Sequence, residues 1–299
     1  MRQKVGMIGL GIMGSAMSGN LLKAGFDVIG YDVLPERIKA LEERKGVGAA
    51  SCKDVAERAD VVISSLPSDE ALHDVVFGRD GLLESARRGL VLIETSTLTL
   101  EAKEEAYKVL KNAGADMLDC PLAGTGAQAV KKDLAVYASG NRETSERCNP
   151  VFEGFARSVY YVGEFGMGMK LKFVNNLLVT IHNVSAAEAM VLGMKAGLDP
   201  QMIYTAVTDG SGSSRMFEVR GPLMVKGEYD PPMMKVDLHQ KDIKLITEFA
   251  NALHCPTPLL SAAAQLYTAA LAHGWGKQDT ASTCAVLEEM AGLKRPVKG

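Results

Sequence analysis

Along the first half of the chain, short apolar runs rich in valine and isoleucine alternate with stretches whose apolar residues recur at helical spacing. Residues 4–8 read as a strand, 15–24 as a helix ended by Gly25, 28–31 as the next strand and 35–43 as a helix. Residues 61–65, 90–94, 116–120, 134–138 and 159–162 continue the strand series. The alternation predicts a mostly parallel sheet with helices on both faces. From Met169 the texture turns helical. Residues 169–196 contain no proline, and Gly197 with Pro200 supplies a stop. That is one helix of roughly 40 Å at 1.5 Å per residue, long enough to cross a domain junction or reach a partner subunit. Further helices are expected at 200–208, 238–253, 259–272 and 280–291, while Ser211–Arg215 reads as a polar loop.

Composition narrows the class. The 299 residues suggest two domains, with 47% apolar residues to fill their cores. The net charge of -3, without a basic block, gives no reason to expect a nucleic-acid partner. No apolar run approaches the roughly 18 residues of a membrane span, and the start lacks a signal-peptide layout, so a cytoplasmic protein is expected. The five cysteines are widely spaced, with no Cys-x-x-Cys pair. They read as free thiols rather than a metal or disulfide framework, and the fifteen methionines as adaptable core packing.

The first chemical signal is Gly9-Leu10-Gly11-Ile12-Met13-Gly14, a G-x-G-x-x-G directly after a strand and opening a helix. In such a loop the first glycine permits the tight turn. The second lets the backbone approach a pyrophosphate, and the third lets the helix pack close to the sheet. Asp32 follows the second strand, where an acidic residue hydrogen-bonds ribose hydroxyls and repels a 2′-phosphate. This favours NAD over NADP and makes the first domain a Rossmann doubly wound sheet. Leu66-Pro67 and Ser96-Thr97 follow later strands, at the sheet edge where ligands of such folds bind. Each is by itself also an ordinary turn.

The second signal lies at the start of the long helix, in Gly163-Glu164-Phe165-Gly166-Met167-Gly168-Met169-Lys170-Leu171-Lys172-Phe173-Val174-Asn175-Asn176. Lys172 and Asn176 share a helix face that continues to Thr180 and Asn183, while Lys170 points away to solvent. From the pattern alone, a lysine at a helix start with asparagines on a solvated face reads equally well. If the stripe is buried, each group needs a partner; if it faces a cleft, the partner can be a substrate.

With these motifs in order, the chain resembles the β-hydroxyacid dehydrogenase family, which includes 3-hydroxyisobutyrate dehydrogenases and tartronate semialdehyde reductases. The opening Gly9–Gly14 with Met17 and residues 20–25 is similar to the family's cofactor signature, and 163–176 to its G-x-x-G-x-G-x-x-x-K-x-x-N-N signature. The resemblance covers nearly the whole chain. It implies Lys172 as catalytic acid/base, Asn176 as a substrate-binding residue, and Lys241, in Lys241-Asp242-Ile243, near cofactor and substrate. The family's D-A-P-V-S-G-G loop reads Asp119-Cys120-Pro121-Leu122-Ala123-Gly124-Thr125 here. The usual serine is Ala123. The backbone around Ala123, Gly124 and Thr125 is then expected to hold a carboxylate, with Thr125 as a replacement hydroxyl.

The expected protein is α/β. A Rossmann domain (1–163) binds NAD, and an all-α domain (164–299), joined by the long helix, serves substrate and oligomer contacts. Its substrate is a small carboxylate-bearing hydroxy acid or its semialdehyde, and it is a homodimer or homotetramer. An NADPH-linked semialdehyde reductase is opposed by Asp32, and an imine reductase by Lys172. A nucleotide-sensing protein without turnover is kept open by Ala123. His73, His182, His239, His254 and His273 show no ligand spacing. Arg215 is a candidate for an anion, and Trp275 for a subunit contact or pocket edge.

Overall fold

The computed structural model describes residues 4–295. The chain divides into two compact units, Met1–Lys172 and Phe173–Gly299.

In the first unit, strands β1 (Lys4–Ile8), β2 (Asp27–Tyr31), β3 (Val47–Gly48), β4 (Val61–Ser64), β5 (Val91–Glu94) and β6 (Asp116–Asp119) alternate with helices. These helices are α1 (Ile12–Lys23), α2 (Pro35–Glu42), α3 (Cys52–Arg58), α4 (Asp69–Phe77) and α5 (Leu100–Asn112). The chain continues through β7 (Leu122–Ala123), α6 (Gly126–Val130), β8 (Ala135–Ser139), α7 (Arg142–Arg147), α8 (Asn149–Phe155) and β9 (Ser158–Gly163). The sheet order is β3-β2-β1-β4-β5-β6-β8-β7, with β9 beside β8. Its first six strands are parallel and doubly wound, and the order in which the chain adds them reverses between β1 and β4, where such sheets bind nucleotides. Beyond β6 the sheet is mixed, since β8 runs antiparallel to β6 and β7. Every residue of β4 and β5 is buried, as expected of strands covered on both faces. One core holds Met17 and Leu21 of α1 with Phe152 and Phe155 of α8. The other holds Val55, Val76 and Ala106 of α3, α4 and α5.

The second unit is helical. Helix α9 (Met167–Lys195) enters it from the first, followed by α10 (Pro200–Asp209), α11 (Arg215–Lys226), α12 (Val236–Ala252), α13 (Pro258–Ala272) and α14 (Thr283–Met290). By length and hydropathy α9 could cross a membrane. Its polar residues Lys172, Asn176, Thr180 and Asn183 are buried in the protein.

Two expectations are corrected here. Helix α1 begins three residues earlier than expected, inside the glycine run, because Gly11 is its N-cap and accepts from Ser15 N at 2.8 Å. The loop expected at Ser211–Arg215 ends in a helix, α11, that Gly221 and Pro222 disguise. Proline at 222 has no N–H for the Glu218 carbonyl. Tyr204 Oη donates to that carbonyl at 3.1 Å instead. Gly221 makes room for the same tyrosine, since a Cβ there would lie 2.5 Å from Tyr204 Cδ2.

Candidate active site

Three glycines shape the loop at the head of α1. Gly9 has φ +85°, and a Cβ on it would strike the Ser65 carbonyl oxygen. A Cβ on Gly14 would strike the Gly9 carbonyl oxygen. Beyond Gly11 the space is open: its Cβ would find only Arg37 Nη1, at 3.9 Å. Two glycines are therefore demanded by packing, and the third leaves an uncrowded approach beside a helix N-terminus, which suits a pyrophosphate. Leu10, Ile12 and Met13 complete the turn, with Ile12 exposed.

Asp32, just past β2, is buried and already engaged. It accepts from Leu10 N at 2.7 Å and Leu34 N at 2.9 Å, and pairs with Arg37 Nη1 at 3.2 Å. The sequence reading did not anticipate Arg37. A cation five residues past the acid expected to bind ribose would partly offset that acid's repulsion of a 2′-phosphate. The two downstream loops meet directly: Leu66 N donates to Ser96 Oγ at 2.7 Å, and Ser96 N to Glu94 Oε1 at 2.9 Å. Pro67 and Thr97 flank this junction.

Lys172 is 9% exposed, and its Nζ donates to the Leu122 carbonyl at 2.5 Å. The helix start that carries it can sit against the sheet because residue 168 is glycine. A Cβ there would lie 2.7 Å from Asp119 O and would strike Tyr137 O. Gly168 N donates to Ser139 Oγ at 2.9 Å and Met169 N to Asp119 Oδ2 at 2.7 Å, so α9's first amides are capped by the sheet's own residues. Lys170 is exposed, as its place on the helix requires.

The loop after Leu122 is braced by local bonds. Gly124 has φ +138°. Thr125 is the N-cap of α6: its Oγ1 accepts from Gln128 N at 3.4 Å, and its own N–H donates to Gln128 Oε1 at 3.0 Å. Thr125 Oγ1 is held in a capping box, because a five-residue helix needs its first amides satisfied. Ala123, in β7, pairs with Ala135.

In the second unit the polar side chains Asn176, Thr180 and Asn183 of α9 are buried, and each makes hydrogen bonds within that unit. Asn176 Nδ2 donates to Asp242 Oδ2 at 3.0 Å. Thr180 Oγ1 donates to Asn176 O at 2.8 Å and lies 2.9 Å from His239 Nε2. A hydroxyl has one proton, so when it is given to the carbonyl, His239 Nε2 is the donor in the second pair. His239 Nδ1 lies 4.0 Å from Asp242 Oδ2. Asn183 Nδ2 reaches Tyr267 Oη and Thr280 O, each at 2.9 Å. Lys241, on α12, holds its Nζ 3.9 Å from Asp242 Oδ1. Arg215 pairs with Glu218 at 3.2 Å on an exposed face, and Trp275 stacks on His273 with ring centroids 4.7 Å apart. Among the described residues no cluster of three metal-ligating side chains occurs.

Sequence reasoning passed over Lys103. It is fully buried between Glu94 and Asp119. Its signal was its place on α5, where Lys103, Ala106 and Leu110 form the buried face.

Comparison with known proteins agrees with this architecture. Residues 4–163 match the family model described as the NAD binding domain of 6-phosphogluconate dehydrogenase. Residues 166–287 match one described as NAD-binding of NADP-dependent 3-hydroxyisobutyrate dehydrogenase. The chain is 34% identical to an L-threonate dehydrogenase of Cupriavidus necator over 299 residues, covering 100% of this chain and 99% of that protein. It is 35% identical to the L-threonate dehydrogenase of Haemophilus influenzae over 300 residues, covering 99% and 97% respectively. The crystal structure of a 3-hydroxyisobutyrate dehydrogenase from Salmonella typhimurium superposes with a TM-score of 0.86 at 32% identity, over 95% of this chain and 99% of that one. A glycine cradle built for a dinucleotide, a lysine at the head of the long helix and relatives of matching length together establish that the chain is an NAD(P)-linked oxidoreductase and belongs to the β-hydroxyacid dehydrogenase family.

Proposed function

We propose that the chain oxidises a small 3-hydroxy acid, or reduces its semialdehyde, with NAD(H), using Lys172 as the proton acceptor and donor. The observation that carries this reading is the buried Lys172 Nζ bonded to the Leu122 carbonyl, at the head of the loop Ala123-Gly124-Thr125. In the oxidation direction neutral Lys172 takes the substrate hydroxyl proton; in reverse its ammonium returns it. Asn176, one turn on, hydrogen-bonds the substrate, its amide oriented by Asp242. The backbone of Ala123, Gly124 and Thr125 holds the substrate carboxylate. When bound, NAD supplies the hydride acceptor, held by Gly9, Gly11 and Gly14, by Asp32 at its ribose, by the Leu66-Pro67 and Ser96-Thr97 loops, and by Lys241. Residues 1–163 form the cofactor domain and 164–299 the helical domain for substrate and subunit contacts.

The names of the relatives make L-threonate the first substrate to test. NADH formation would be followed on L-threonate and other 3-hydroxy acids, wild type against Lys172→Ala. Turnover that survives the substitution overturns the assignment of the base. A second reading, use of NADP, is favoured by one observation, the Arg37 guanidinium beside Asp32.

The protein is further proposed to be cytoplasmic and a homodimer or homotetramer. The exposed Val174, Leu178 and Leu192 along α9 support association. A monomeric mass by light scattering at micromolar concentration would overturn it.

A further inference from the structure

Glu94 and Asp119 end the adjacent parallel strands β5 and β6 and stand opposite each other in register. Two carboxylates so placed repel, and both are fully buried, where uncompensated charge is costly. Lys103 of α5, equally buried, puts its ammonium between them, 2.6 Å from Glu94 Oε2 and 2.7 Å from Asp119 Oδ1. Burial alone would drive the lysine's pKa down. The attraction of Asp119 and Glu94 outweighs it and holds the value above the usual lysine range, so Lys103 is a standing cation rather than a proton carrier.

The cluster has two anions and one cation. Its excess negative charge is met by backbone amides at the two outer ends. On one side, Glu94 Oε1 accepts from Ser96 N at 2.9 Å, and Ser96 Oγ from Leu66 N at 2.7 Å. On the other, Asp119 Oδ2 accepts from Met169 N at 2.7 Å, in the first turn of α9, where orphan amides and the helix dipole favour an anion. Lys172 follows three residues later.

We propose that Lys103 is a positioning residue: its ammonium ties the Leu66 and Ser96 loops to the first turn of the helix that carries Lys172, and so fixes the base relative to the cofactor loops. The proposal rests on Lys172 being the base. The two carboxylates have separable tasks, Glu94 serving the cofactor loops and Asp119 the catalytic helix.

The test compares full-length Lys103→Met, Glu94→Gln and Asp119→Asn with wild type. The latter two each leave Lys103 one carboxylate, a neutral pair, and so report even if Lys103→Met fails to fold. Two readouts are taken: kcat and KM for NAD with L-threonate, and amide hydrogen exchange at Ser96 and Met169 in the presence of NADH. Asp119→Asn is expected to lower kcat on the order of 10–100-fold with KM for NAD nearly unchanged, and to deprotect the Met169 amide. Glu94→Gln is expected to raise KM for NAD with a smaller loss of kcat, and to deprotect Ser96. Lys103→Met, if folded, should do both. Equal effects of Glu94→Gln and Asp119→Asn on both amides, or none on either, overturn the proposal and leave the cluster a stability element. The exchange pattern needs no turnover. Persistence of turnover in Lys172→Ala would therefore remove the base assignment while the exchange pattern still decides whether Lys103 links the two loops.

Discussion

The Asp32 carboxylate accepts the Leu10 amide at 2.7 Å, so the acid expected to bind ribose also holds the glycine turn in place. Asp32→Asn keeps an acceptor for Leu10 but removes the charge. It should weaken NADH binding and narrow the gap to NADPH by about tenfold, or about 1.4 kcal/mol. Arg37→Ala should act in the opposite sense and widen the gap. Fluorescence titration with both reduced cofactors measures each effect, and the same sign for the two variants would refute the opposition between these side chains.

Gly11 and Gly14 should separate folding from binding. Alanine at 14 collides with the Gly9 carbonyl, so it lowers Tm as well as cofactor affinity. Alanine at 11 enters open space. It should leave Tm within about a degree, since surface changes of this kind usually stay within about 0.5 kcal/mol, yet weaken NADH binding by about tenfold or more. Unaltered affinity in Gly11→Ala would place the pyrophosphate elsewhere.

Lys172→Ala should lower kcat by about 10²–10⁴, the usual range for a general base, with NADH affinity preserved. Lys170→Ala, two residues earlier and exposed, should leave kcat unchanged. Steady-state kinetics with a 3-hydroxy acid distinguish the two.

Asn176→Ala strips the buried Asp242 carboxylate of a donor at 3.0 Å. The expected cost is about 1–3 kcal/mol of stability, seen as a lower denaturant midpoint, together with a raised KM for the hydroxy acid. A substitution that changed KM alone would mean that Asp242 finds another partner.

The cysteines give a pH prediction. Burial pushes the Cys52 and Cys284 thiols up to about 12 and Cys148 to about 11, and Cys120 also rises well above its ordinary value. Their folded-state values exceed the unfolded one, so the native state binds protons more tightly, and stability falls as pH rises from about 9 toward 11 to 12. Chemical denaturation at pH 8 and 10 should show the loss. A thiol reagent at pH 8 should modify the exposed Cys255 quickly and the four buried thiols only on unfolding.

What the sequence disclosed followed from local chain chemistry. The G-x-G-x-x-G turn needs only its own glycines, and the Lys172–Asn176 spacing needs only the helical repeat. What stayed hidden depends on register and tertiary contact. Lys103 looks like an ordinary helix lysine until β5 and β6 set Glu94 opposite Asp119. Arg37 acquires meaning only when α2 brings it to Asp32, and His239 only when α12 lays it against Thr180. Helix α11 was obscured because Pro222 signals a break that Tyr204 repairs from another helix. The capping box that engages the Thr125 hydroxyl shows only once α6 is seen to begin there.

Lys172 Nζ donates to a main-chain carbonyl, that of Leu122. The Leu122 oxygen needs only an N–H, which the lysine offers whether charged or neutral. This tether would therefore survive each half of the proposed proton-transfer cycle, and the amine would not need to be re-aimed between one turnover and the next.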